Sequence, residues 1–540
     1  MRNLISLVIA AIVFSFCVGV RPAFSDLSVE SAGLLPEKSA KTASPAFAHY
    51  IRGILYDSED KIDQAIEEYL AACALDAQAP AIHKRLAVAY IKSGQYRPAE
   101  EQLLVVKKIN PEDEGVRRIL AHFYTAQEKF EQACLEYQEL LKKHPEDLEI
   151  LASLADLYVI QEKLEEAIEI YQKILVKNPD SAQVHFNLGI IYTKLNKLEE
   201  AQRRFRRALE LDPTYLQAEL ALALLNEIDQ NFSEAIDHYQ KALSIDPLNV
   251  NVYHRLAQTY YLDKRTPEAI RQYEFILKLN PYDIDGYLEL AYIYLNEKQL
   301  DQCIETLQQA LDCQTDWRIT LEGGLLTAAK LKELQNVKQE QAYLLLGLAY
   351  TQNEQKQAAI ETYTKATEVR PESGVGYFYL GALFEQTGRI EEAFSNLEKS
   401  VELDDTNADA LNYLGYIYAE QGIKLDQAEE LINKALELDP ENGAYTDSLG
   451  WVYFKRGMID EALEQIQKAA ELIEDAEILE HLGDIYQLKG EPEKARAAWE
   501  EALELDPQRT SVQERLGNVL QSTANTGTGA ESQADQKTDY

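Results

Sequence analysis

Cysteine, histidine and basic charge are all scarce in this sequence, and each shortage removes a class of function. Five cysteines in 540 residues are too few for a disulfide scaffold. Cys303 and Cys313 lie ten residues apart on what reads as one helix. That is about 15 Å along its axis, beyond the ~7 Å at which two Cα atoms can be bridged. The eight histidines (49, 83, 122, 144, 185, 238, 254 and 481) show neither HExxH nor a paired ligand spacing. Gly323-Gly324 lacks the Lys and the preceding strand of a phosphate loop, and no Gly-x-Ser-x-Gly elbow occurs. No catalytic, cofactor-binding or metal-binding residue is expected, and an enzyme is not.

Bases are outnumbered by acids 53 to 91, a formal charge of −38. Nucleic acid is therefore not an expected partner, since phosphate binding needs clustered Lys and Arg. An anionic membrane surface is equally disfavoured. The strongest basic run, Arg203 to Arg207 in "RRFRR", reads as a solvated helix face pairing with Glu199, Glu200 and neighbours. Binding of an acidic partner is the other reading.

The first 25 residues differ from the rest. Arg2, the apolar run Leu4 to Val20 and the small-residue stretch Ala23-Phe24-Ser25 read as a signal peptide cut before Asp26. Residues 4–20 approach the minimum for spanning a bilayer, so an uncleaved N-terminal anchor is the alternative. Cys17 as a lipidation site fits poorly, because bulky Phe16 precedes it. Export to the periplasm or cell envelope follows in either case.

What is abundant is repetition. The phrase "LGIIYTKLNKLEEAQRRFRRALELDP", Leu188 to Pro213, recurs along the chain, and Pro111, Pro145, Pro179, Pro213, Pro247 and Pro281 stand 34 residues apart. Each phrase reads as two helices. Gly189 in the first and Ala201 in the second allow a close crossing, tyrosines such as Tyr192 fill the space between units, and Asp-Pro or Asn-Pro ends the second helix. Ala201→Arg should therefore disrupt packing. Cys303 stands where most units have Ala, which reads as a small buried thiol.

This pattern resembles the tetratricopeptide repeat, a helix-turn-helix unit of 34 residues. The resemblance implies an all-α right-handed superhelical solenoid. Residues 26–43 form a flexible leader, 44–315 hold units one to eight, and 316–339 a helical insertion. Residues 340–507 hold units nine to thirteen, 508–520 a capping helix (Ser511 to Leu520), and 521–540 a disordered tail. In the insertion Gly323-Gly324 breaks the chain, and a long helix over Leu325 to Leu346 should run into unit nine. A hinge or docking element, or an extra helix packed beside the stack, are the readings of this insertion.

In the resembling family the first helices line a concave face, with the second, fifth and ninth residues of each unit turned inward; the fifth and ninth are followed here. Carried onto this chain, these are Phe186 and Ile190, Leu220 and Leu224, Leu288 and Tyr292, Leu344 and Leu348, Phe378 and Ala382. His254 and Gln258 interrupt, and the C-terminal units turn polar with Asn412 and Tyr416, Asp447 and Trp451, Glu480 and Asp484. The expectation is an apolar groove for an extended or helical segment of a protein partner. Leu220 and Leu224 should be free of the core, so Glu at both should leave the helical content intact.

The basic clamp by which some relatives hold a free C-terminus is not matched. Lys84 and Arg118 occupy the fifth position of units two and three, but Val88 and His122, not Asn, stand at the ninth. The stretch Asp447-Ser448-Leu449-Gly450-Trp451 resembles bacterial exported members of the family. Taken together, the readings predict a non-catalytic scaffold that assembles an envelope complex. The alternative is a component of polysaccharide synthesis or export, with glycan near the groove tyrosines and Trp451.

Overall fold

The computed structural model describes residues 44–313 and 328–517. The expectations for the signal or anchor, the leader, the first part of the insertion and the tail fall outside these residues. The described chain is all-helical: helix pairs run from Pro45–Ser58 with Ile62–Leu75 to Ala476–Leu488 with Pro492–Leu505. Residues 510–517 form a further helix. The chain divides into two compact units, residues 1–272 and 273–540.

Local chemistry sets each boundary. Most second helices stop at an Asp or Asn with an extended backbone, as at Asp212 (φ −134°, ψ 95°), where Pro213 follows; His144, Arg370 and Ile473 take that place elsewhere. Many first helices start a few residues later on a side-chain cap, though not those that begin after Ala79, Tyr215 or Ser373. Asp113 accepts from the Val116 amide at 3.0 Å, Asp147 from Glu149 and Ile150, and Asn407 from Ala410. The turn inside each pair needs one left-handed residue. It is glycine at Gly94, Gly388 and Gly457, but Glu128 (φ 56°), Glu162 (φ 58°) and Asn196 (φ 57°) elsewhere.

The close crossing within a pair is that of a small residue on a large ring. At Gly189 an added Cβ would lie 2.6 Å from Phe205 Cδ1, and at Gly483 the Trp499 indole occupies the same place. Ala201 is fully buried. The second helices also supply tyrosines that sequence reading assigned no place: Tyr69, Tyr171, Tyr239, Tyr273 and Tyr363 are among the most deeply buried side chains. Cys303 is fully buried, and burial pushes its thiol up to about 12. A 25-residue helix, Ala328–Gln352, runs unbroken from the inserted stretch into the ninth pair.

Candidate partner-binding groove

The residues expected to line the groove fall into three settings. In the N-terminal unit, Phe186, Ile190 and Leu224 are 5%, 3% and 9% exposed and form one core cluster with Phe205 and Leu225. Phe186 packs edge-on against Tyr215 at 5.0 Å. Leu224 is thus not free of the core, and only Leu220 beside it is half-buried. The reason is that Phe205 and Ala208 of the second helix and Ala218, Ala221 and Leu222 of the next first helix fill the space around them.

At the C-terminal end the corresponding residues are tied up by polar contacts. Tyr416 donates to Glu477 Oε1 at 2.8 Å, joining the first helices of pairs eleven and thirteen over the one between. Phe378 packs edge-on against Tyr413 at 5.9 Å, and Asn412 Oδ1 is enclosed with no hydrogen-bond partner among the described residues. Trp451 is 7% exposed, stacked on His481 at 3.9 Å and Phe454 at 4.6 Å, and its indole N–H donates to Glu420 at 2.6 Å. A ring so covered offers no platform to a sugar, which removes the expected glycan contact at Trp451.

Between these two stretches, four expected residues do converge on open space. Leu288 and Tyr292 from helix Ile284–Asn296 face Leu344 and Leu348 from Ala328–Gln352. With Leu345, Val375 and Tyr379 they line a cavity of about 450 Å³. Tyr292 is 50% exposed. Glu289 and Gln341 supply the polar lining. At one margin Lys338 pairs with Asp285 at 2.7 Å. Tyr379 is itself held by stacking on Tyr363, 5.5 Å away and 13° from parallel. Sequence reading missed Val375 and Tyr379. Val375 is a second position, inward in the family but not carried onto this chain, and Tyr379 sits one residue beyond the carried-over Phe378.

The basic residues singled out in the sequence are engaged within the chain. Lys84 pairs with Asp113 at 3.0 Å and Arg118 with Asp147 at 2.9 Å, each binding the carboxylate that caps the next pair's first helix. In "RRFRR", Arg203 meets Glu200, Arg207 meets Asp180 and Glu210, and Arg204 reaches His185. Lys84 and Arg118 thus serve the joints between units, whereas Arg203 and Arg204 are held within their own pair. Among the described residues no group of three or more His, Cys, Asp or Glu could hold a metal ion. None of the described helices is long and apolar enough to cross a membrane.

Family models for the tetratricopeptide repeat match residues 58–123, 284–314, 340–373, 376–407, 396–430, 424–477 and 476–509. The chain belongs to the tetratricopeptide repeat family. A further model of the family, the C-terminal ARM domain of tetratricopeptide repeat protein 21, matches residues 127–285. No curated protein matches the chain.

Among solved structures, the chain is similar to the anaphase-promoting complex hetero-tetramer Cut9-Hcn1, at 17% identity over 88% of this chain and 97% of that one (TM-score 0.39). It is similar to yeast Tom70 at 15% identity over 90% and 97% (TM-score 0.36). MamA is 24% identical over 30% and 95% (TM-score 0.29). Tetratricopeptide repeat proteins are generally protein-interaction scaffolds, and their fold is typically non-catalytic.

Proposed function

We propose that this tetratricopeptide repeat protein is a non-catalytic scaffold whose groove between helices Ile284–Asn296, Ala328–Gln352 and Gly374–Gln386 holds an apolar, basic-flanked segment of a partner protein. The observation that carries the reading is the convergence of Leu288, Tyr292, Leu344 and Leu348 on an open apolar cavity. It lies where the inserted residues lengthen one wall to a 25-residue helix. Apolar surface left open in this way is a recognised mark of interaction sites. Glu289 in the lining and the net charge of −38 favour a segment flanked by Lys or Arg. A stack already in place lowers the ordering cost of binding.

Signal-like residues 1–25 support a place for this scaffold in the cell envelope, where the complex it assembles would reside. Edman sequencing of the mature chain checks it: a start at Asp26 supports export with cleavage, and an intact start in a soluble fraction counts against both export and anchoring.

The groove is tested by placing a photo-crosslinking amino acid at Tyr292 in the native host, with exposed Leu135 as control position. A protein adduct specific to position 292, mapped to an apolar segment with Lys or Arg at its flanks and lost on Leu344→Glu, is the expected result. Adducts shared with position 135, or a polar or acidic crosslinked segment, would overturn the reading.

A further inference from the structure

The C-terminal part of the chain contains one histidine after His254, and that residue is buried between two helices. His481 lies on helix Ala476–Leu488, and its Nδ1 is 2.9 Å and 3.1 Å from the two carboxylate oxygens of Asp447 on helix Gly443–Lys455. The side chains are 7% and 8% exposed. The imidazole also lies flat on Trp451 of that same helix, 3.9 Å away at 17°. Both of its contacts thus cross the joint between the twelfth and thirteenth pairs.

We propose that His481 is a protonation-controlled latch. As imidazolium it fastens helix Ala476–Leu488, with the end helix of residues 510–517, onto helix Gly443–Lys455; as neutral imidazole it loosens them. An imidazolium gains both an ion pair with Asp447 and a cation–π contact with Trp451, and a neutral ring keeps only a hydrogen bond and van der Waals stacking. The end helix follows because it is bound to the same element: Arg515 pairs with Glu480 and Asp484, each at 2.7 Å, and Arg509 with Glu480 and Glu477.

The charged surroundings favour the cation. Burial works toward the neutral ring, but Asp447, Glu477 and Asp484 outweigh it and hold the imidazole above the ordinary histidine range. Glu477 is in turn bound by Tyr416, and Asp484 by Arg515 and the Trp499 indole. Lys455 lies 4.8 Å from the Trp451 ring and pairs with Glu420. Helix Ile459–Leu472 offers apolar Ala462, Ile466 and Ala469 to this joint. Burial raises the Asp484 carboxyl, whereas Glu480, also buried, is lowered by Arg509 and Arg515.

The sign follows from the raised folded value. The latch is fully closed below the unfolded histidine pKa of ~6.5 and opens as pH rises through the higher folded value. Backbone hydrogen exchange of the full-length chain, corrected for intrinsic rates, at pH 6 and pH 8.5 reads it directly. Protection over residues 476–517 should fall by roughly tenfold for each unit by which the folded pKa exceeds ~6.5. Residues 340–438, which contain no histidine, should not change.

His481→Gln should abolish the pH step, and Asp447→Asn should shrink it. Equal protection at both pH values in the unaltered chain, an equal fall over 340–438, or a step that survives in H481Q would each overturn the latch. Should the variants fail to fold, the unaltered chain decides alone, because residues 255–540 hold no second histidine.

Discussion

Gln308 and Tyr350 are 42 residues apart in sequence, yet the Gln308 amide donates to the Tyr350 hydroxyl at 2.8 Å. Gln138 stands in the same relation to Tyr158, and Gln240 to Tyr260, at 2.8 Å and a separation of 20 residues. The bond ties the second helix of one pair to the first helix of the next. The 22 additional residues therefore leave the bond across the joint they interrupt in place. Gln308→Leu and Gln138→Leu should cost the same, about 0.5–1.5 kcal/mol each, in urea unfolding. A markedly larger loss at Gln308 would show that the insertion strains this joint.

Gly189 is where the helix propensity and packing of a single residue oppose each other. Alanine there would gain up to about 1 kcal/mol in an exposed helix. Here the new methyl would meet Phe205 Cδ1 at 2.6 Å and Cζ at 2.8 Å. The Phe205 ring is wholly buried and has nowhere to turn. Gly189→Ala is expected to destabilise by a net 1–3 kcal/mol, with exchange protection lost first over residues 182–211. An unchanged or raised melting temperature would mean the ring can shift.

Much of this architecture is legible in the sequence because its signals are periodic. The Pro spacing, the Gly and Ala crossings and the Asp-Pro ends each follow from a local rule repeated many times. The groove is less legible, and the reason is geometric. Whether Leu224 or Leu348 is open depends on which side chains of neighbouring helices close over it, which no single unit encodes. Both are leucines at the same repeat position, yet Leu224 is in a core cluster and Leu348 lines a cavity. Tyr379, one residue past the fifth position, lines the cavity and stacks on Tyr363, which a family rule for inward positions passes over.

The left-handed turn residues make a prediction of opposite sign. Glu162 holds φ at 58°, a position that glycine fills in the equivalent turn at Gly94. A non-glycine residue there costs roughly 1–2 kcal/mol, partly offset by the greater freedom glycine has in the unfolded chain. Glu162→Gly should therefore stabilise by about 0.5–1 kcal/mol, seen as a higher urea midpoint. A lower midpoint would indicate that the Glu162 side chain holds the turn by contacts of its own.

Asp156 gives a pH dependence with a definite sign. Burial raises its carboxyl above the ordinary range, and the hydrogen bond donated by Tyr171 only partly opposes this. A raised folded value means that stability is highest with the group protonated and declines as pH rises through that value. Asp156→Asn keeps an oxygen to accept from Tyr171 and removes the charge. It should raise the melting temperature at pH 7.5 and leave it nearly unchanged at pH 3.5. An equal effect at both pH values would assign the gain to shape instead of ionisation.

Leu224 and Tyr292 separate what holds the fold from what is open to a partner. Leu224 is 9% exposed and packs with Phe186 and Ile190, so a carboxylate there must either be buried without a partner or break the cluster. Leu224→Glu should cost several kcal/mol and reduce the helical signal. Any loss of binding in that variant would report unfolding. Tyr292 has half its surface in solvent, so Tyr292→Glu should change stability by no more than about 0.5 kcal/mol while placing a second negative charge beside Glu289. Circular dichroism and photo-crosslinking at a neighbouring groove position, measured on both variants, give the contrast. Intact helices with capture lost in Tyr292→Glu would assign the cavity to binding. Intact capture there would mean that the partner touches the scaffold elsewhere.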